Sequence, residues 1–165
     1  MIRLMLFMVS LLGVGSAMPV SAQVACDPLP AMEGPWTSDG PFQGLWMARV
    51  SSGEGNDILF SCDIGADIGS SMRVCLNGMT PASPRLKVAF EGEAEREIEL
   101  NYHYRGQFSL RGGLDLMANE AFDALVADLR TRSGSVTFSD EAGNSADFTL
   151  SGSSKALAEC PASRI

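Results

Sequence analysis

Beyond residue 44, apolar residues recur at every second position through most of the chain. Ile58/Phe60/Cys62, Met72/Val74/Leu76, Leu86/Val88/Phe90 and Ile98/Leu100/Tyr102/Tyr104 each mark one buried face of a strand. Residues 45–48 and 108–116 predict further strands, the second interrupted at Gly112-Gly113. Near the end, Val136/Phe138 and Phe148/Leu150 alternate around the turn-rich 140–145 and predict a hairpin. One stretch breaks the two-residue period. Phe122, Leu125, Val126 and Leu129 fall at i, i+3, i+4 and i+7, which predicts a helix over 119–131. Asn119 suits its cap, Glu120 and Asp123 the positive end of its dipole, Arg130 and Arg132 the other end, and Gly134 its termination. A short final helix over 154–159 delivers Ala156, Leu157 and Cys160 to the core.

Upstream, Pro28, Pro30, Pro35 and Pro41 stand among glycines, so residues 23–43 read as an extended lead-in to one β-rich domain, 44–165. The fold class expected is mainly β: a single antiparallel β-sandwich or open barrel with one packed helix and a short C-terminal helix. Register between the strands at 86–90 and 98–102 is constrained further. Inward positions oppose inward ones only if an odd number of residues forms the loop within 91–97. One allowed register sets Lys87 opposite Glu99.

The first 22 residues carry a different pattern: Arg3, an apolar run over 4–14, and the small residues Val20-Ser21-Ala22. This is the order of a secretory signal peptide cleaved near Ala22, and the run is too short for a permanent span of about 20 residues. Export to the periplasm or beyond is the expectation, with no transmembrane segment after cleavage. Loss of Arg3 takes the net charge from −8 to −9. That balance argues against a nucleic-acid partner, which usually needs a basic patch. A rival reading would make Cys26 a lipid-bearing first residue, but Gln23 stands where an aliphatic residue is expected.

With Cys26 retained, the exported chain holds Cys26, Cys62, Cys75 and Cys160, an even number in a disulfide-permissive space. Of the three pairings, Cys62–Cys75 between adjacent strands with Cys26–Cys160 tying the ends is favoured here; that second closure is worth roughly 4–5 kcal/mol in the entropy model. One objection stands. Cys62 alternates with Ile58 and Phe60, Cys75 with Arg73 and Asn77, so the two point to opposite faces unless a bulge intervenes.

A resemblance covers about the last 40 residues: Phe122…Leu125…Leu129…Gly134-Ser135-Val136-Thr137-Phe138…Gly143…Phe148-Thr149-Leu150-Ser151-Gly152-Ser153…Ala156-Leu157…Cys160. This run of helix, strand, turn, strand, Gly-Ser, short helix and Cys resembles the type VI secretion-associated VasI-like proteins and, less closely, the invasion-associated locus B proteins. Phe60-Ser61-Cys62 is similar to a strand-ending Cys of the first group. The resemblance implies a β-rich envelope accessory domain without catalysis.

The chemistry-bearing residues are few. One His and no CxxC remove most zinc and redox designs. His103 would have to serve any Ser-His-Asp machine, yet it alternates with Glu97, Glu99 and Asn101 on an outward face, and no GxSxG elbow exists. No catalytic, cofactor-binding or metal residue is assigned. Asp63 with Asp67, and Asp140 with Asp147, sit in Gly-containing loops but lack the calcium-loop spacing.

Glu91, Glu93, Glu95, Glu97 and Glu99 occupy every second position; stacked on one side they would form an acidic docking edge for a basic surface. The plainer expectation makes 91–96 a loop and leaves Glu97 and Glu99 to keep a strand edge soluble. Trp36 and Trp46 flank a Gly/Pro stretch, and such residues more often plug a sandwich than face a partner. The contact candidates are therefore Glu93, Glu95, Glu97, Glu99 and the Trp36/Trp46 region. The function expected is a non-enzymatic exported envelope protein acting through protein–protein contacts, accessory to a secretion or envelope assembly. The alternative is an inhibitor of a secreted or cell-wall lytic enzyme, where an acidic chain would suit a cationic target.

Overall fold

The computed structural model describes residues 23–27, 34–53, 55–104, 107–112 and 116–160. The predicted leader, 1–22, lies outside them. Among the described residues, ten strands and two helices follow in order: β1 Thr37–Phe42, β2 Leu45–Ser51, β3 Asp57–Asp63, β4 Ser71–Cys75, β5 Arg85–Phe90, β6 Arg96–Glu99, β7 Tyr102–Tyr104, β8 Gln107–Arg111, α1 Leu116–Thr131, β9 Ser135–Asp140, β10 Ser145–Thr149 and α2 Ser153–Ala156. They form two antiparallel sheets, one ordered β1-β2-β3-β4-β8-β7 and the other β10-β9-β5-β6. The architecture is a sandwich and not a closed barrel.

Alternation explains the layers. Ala48, Val50, Ile58, Phe60, Cys62, Met72, Val74 and Leu110 line the inner face of the first sheet; Leu86, Val88, Phe90, Ile98, Val136, Phe138, Ala146 and Phe148 line the second. Most inward positions are separated by an outward polar one such as Arg49, Ser61, Arg73, Lys87, Thr137 or Asp147, with Leu59 and Ala89 as the apolar exceptions, so both sheets bury one side. Phe138 meets Phe148 edge-on at 5.9 Å between centroids, on neighbouring strands of one face. Helix α1 adds Phe122, Leu125, Val126 and Leu129, with the Phe122 ring edge-on to Phe60 at 5.7 Å. Full burial of each such side chain is worth about 1.5–3 kcal/mol, an amount that fixes which face of each strand turns inward.

Several expectations change in detail. Of the lead-in expected over 23–43, residues 28–33 with Pro28 and Pro30 lie outside the described residues, and 37–42 is strand β1, paired to β2 at the sheet edge. The run Ile98 to Tyr104 is not one strand. Ile98 belongs to β6 in the second sheet; the chain then crosses, with Leu100 N–H donating to Pro84 and Asn101 N–H to Ser109, and continues as β7 in the first sheet. In β7, Tyr102 stands in register with Ser109, which is itself opposite Arg73 and not in the Met72/Leu110 row. The β5–β6 loop does hold an odd number of residues between the last paired positions, but the register sets Lys87 opposite Glu97 and Arg85 opposite Glu99. Helix α1 starts at Leu116, so Asn119 is inside it and not at its cap. Leu116-Met117-Ala118 are strong helix formers and extend it by a turn.

The cysteine pairing is also corrected: Cys26 is bonded to Cys75 and Cys62 to Cys160, with Cα separations of 6.2 and 4.9 Å. The strand register is the reason. Cys75 stands opposite Asp57, five residues along β3 from Cys62, which is about 17 Å at ~3.3 Å per residue. The two sulfurs also leave opposite faces of the sheet, so no bridge between them is feasible. Cys26 arrives on a short bridge, Ala25 paired with Met79, in which Cys26 N–H donates to Gly78 and Thr80 N–H to Val24. Its sulfur is thereby committed to Cys75, which overturns the lipid-bearing alternative.

Candidate interaction surface

The residues singled out from sequence fall in three places. Trp36 is buried at 5% exposure, tilted against Phe60 at 5.9 Å, and its indole N–H donates to Thr149 at 2.8 Å. Trp46 is half-buried and donates likewise to Ala156 at 2.8 Å. Both rings bury their apolar bodies and spend their one polar atom on a backbone carbonyl of the far end of the chain. They are core plugs, and no aromatic contact surface forms around them.

The glutamates divide between loop and strand: 91–95 join β5 to β6, while Glu97 and Glu99 lie on β6. The charges of Glu93, Glu95 and Glu97 are met within the chain. Glu95 takes Lys87 at 3.0 Å, Glu97 takes Arg85 at 3.7 Å, and Glu93 pairs with Arg132. The hydrogen bond that Lys87 donates to Glu95, then the charges of Glu95, Glu97 and Glu141, hold Lys87 above the ordinary lysine range. Arg132 and Arg96 lie over the Phe90 ring, and both reach Asp128, so the loop is latched to α1. Exposed pairs of this kind contribute little each. Their effect here is to close the acidic row on the protein's own cations. His103 stands on β7 in register with Phe108; its side chain lies outside the described residues.

The two aspartate loops serve their own backbone. Asp140 is buried and accepts from Asn144 N–H and Nδ2, both at 2.9 Å, and from Ala82 N–H at 3.3 Å. Asp63 is wrapped more completely. Its Oδ1 accepts from the N–H groups of Gly65, Ala66 and Asp67 at 2.9, 2.8 and 3.2 Å, and its Oδ2 from Ile68 and Gly69 at 2.6 and 2.7 Å. Burial pushes this carboxyl up, but the backbone donors together outweigh it and bring its pKa down to about 2. Among the described residues, no group of three His, Cys, Asp or Glu side chains could hold a metal ion.

This wrapped loop abuts a second one. Ile64 N–H donates to Gly44 O at 2.9 Å, and Gly44 lies so close that a Cβ there would fall 2.7 Å from Ala66 N, at a φ of +79°. The β1–β2 turn and the β3–β4 loop are thus one braced unit at one end of the six-stranded sheet. From it project Phe42, 69% exposed, and Ile68, 56% exposed. Asp39 and Asp67 are exposed in the same two segments. Both side chains leave more than half of their surface in water, on backbone that is held in place without them. Sequence alternation does not single them out because neither belongs to a core stripe. The available signal was their setting, Gly40-Pro41-Phe42-Gln43-Gly44 and Asp67-Ile68-Gly69, where turn formers surround a large apolar residue.

No family model, curated protein or solved structure matches the chain.

Proposed function

We propose that this is a non-enzymatic exported protein that acts through protein–protein contacts, as an accessory to an envelope or secretion assembly. One observation carries the contact role: Phe42 and Ile68 stand open to solvent on two loops that brace each other. A paired apolar display on ordered backbone fits recognition, because a partner gains apolar burial without the cost of ordering the loops. Export is supported by two disulfides and by the leader pattern in residues 3–22. No described helix is long and apolar enough to cross a membrane. The direct test tags the full-length chain in its own cells, crosslinks mildly and captures it. A stoichiometric protein, lost with Phe42→Ser/Ile68→Ser, is the expected result; background alone would sink the proposal.

A second reading, inhibition of a secreted or cell-wall lytic enzyme, is favoured by the Asp63-wrapped loop. Its backbone is held from inside by five hydrogen bonds, as a loop that enters an enzyme cleft must be. Stoichiometric slowing of a lysozyme-type activity would support it, and no effect across such enzymes would remove it.

A further inference from the structure

We infer that the partner of the Phe42/Ile68 loops is a basic protein surface carrying an apolar recess; this rests on the protein-contact function proposed above and names its partner. The two loop segments, 38–44 and 63–70, hold Asp39, Asp63 and Asp67 and no lysine or arginine. On the adjoining strand, Arg111 stands opposite Ser71 and is already engaged in an interaction of its own. Asp63 spends its carboxylate on its own loop, so the exposed charges that share segments with the two apolar anchors are Asp39 and Asp67, an acidic rim within a chain whose net charge is −8. Such a rim repels acidic surfaces and draws basic ones, and the anchors need a recess that removes them from water. In the row of glutamates at the opposite sheet, Glu93, Glu95 and Glu97 lack this character, since Arg132, Lys87 and Arg85 pair with them.

The two anchors are open side chains, so replacing them leaves the core untouched; an unchanged melting midpoint checks this for each variant. The experiment captures partners from the native envelope fraction onto the immobilised protein, then passes the eluate over a cation exchanger. Affinity of the captured protein is measured against four chains: wild type, Phe42→Ser/Ile68→Ser, Asp39→Asn/Asp67→Asn, and Glu93→Gln/Glu95→Gln. The expected partner binds the exchanger and loses on the order of 100-fold affinity with the apolar pair replaced. It loses about tenfold with the aspartates neutralised at low salt, an effect that fades at about 0.5 M salt, and it is indifferent to the glutamate variant. A partner retained by the apolar variant overturns this surface and leaves the contact function standing. An acidic partner, or one blind to the aspartates and to salt, overturns the basic-partner inference alone. Capture of nothing overturns both.

Discussion

The indole N–H of Trp46 donates to the carbonyl oxygen of Ala156 at 2.8 Å, joining β2 to α2 across 110 residues of chain. Trp46 is also opposite Cys62 in the strand register, and Cys62 is bonded to Cys160 just beyond α2. The segment from α2 to Cys160 is therefore held twice, on two neighbouring strands. Trp46→Phe keeps most of the ring and removes the donor. It should cost about 1 kcal/mol, or about 3 °C in Tm, read by thermal unfolding against wild type.

Non-reducing peptide mapping should recover Cys26 linked to Cys75 and Cys62 linked to Cys160. The loops they close span 49 and 98 residues, for which the chain-entropy model gives about 4 and about 5 kcal/mol. Paired Cys→Ala variants should lose about 2–5 kcal/mol each in urea unfolding. A peptide joining Cys62 to Cys75 would contradict the strand register itself.

Two aspartates at the ends of β3 should respond to acid in opposite senses. Asp63 has its folded pKa brought down to about 2, below the unfolded value of 3.8, so its contribution is full above pH 4 and disappears as pH falls through 2. Asp57 has its carboxyl raised, chiefly by burial, with Arg73 and Arg49 pulling it back. Its protonation favours the fold at low pH, and that gain is lost as pH rises through the raised value. Urea unfolding from pH 7 to 2 should show the stability gap between wild type and Asp63→Asn, about 2 kcal/mol at neutral pH, closing on acidification. Wild type should gain on Asp57→Asn over the same range.

Gly44→Ala tests the brace between the two loops. Its Cβ would meet Ala66 N at 2.7 Å on a left-handed backbone, so both space and φ oppose it. A loss of about 1–3 kcal/mol is expected, with hydrogen exchange rising at Ile64, whose N–H the Gly44 carbonyl accepts. Unchanged exchange there would show that the loops are not coupled.

How legible this protein was in its sequence depended on whether a residue acts locally or across the fold. The stripes at Ile58/Phe60/Cys62, Leu86/Val88/Phe90 and Phe122/Leu125/Val126/Leu129 announced their own elements, because burial imposes a period that neighbours display. Leu100 and Tyr102 kept the same period while changing sheets, so the crossing left no mark. Cys75 named its face through Arg73 and Asn77, yet its partner lay 49 residues back in a segment with no periodicity. The glutamates declared their charge, but Lys87, Arg85 and Arg132 had to be brought to them by folding before the row could be seen as closed. Phe42 and Ile68 were hidden for the converse reason: a side chain left mostly in water belongs to no core stripe and obeys no internal pattern.

The span of the second disulfide also sets an order of events at synthesis. A chain made from its N-terminus has Cys26, Cys62 and Cys75 in hand before Cys160 exists. For that interval three thiols share one nascent segment, and only Cys26 with Cys75 is a native choice. Cys62 must wait unpaired while almost a hundred further residues are delivered, including all of α1, β9 and β10. Once β3 and β4 pair, Cys75 stands opposite Asp57, five residues from Cys62 and on the other face of the sheet, and that register keeps the waiting thiol from this wrong partner.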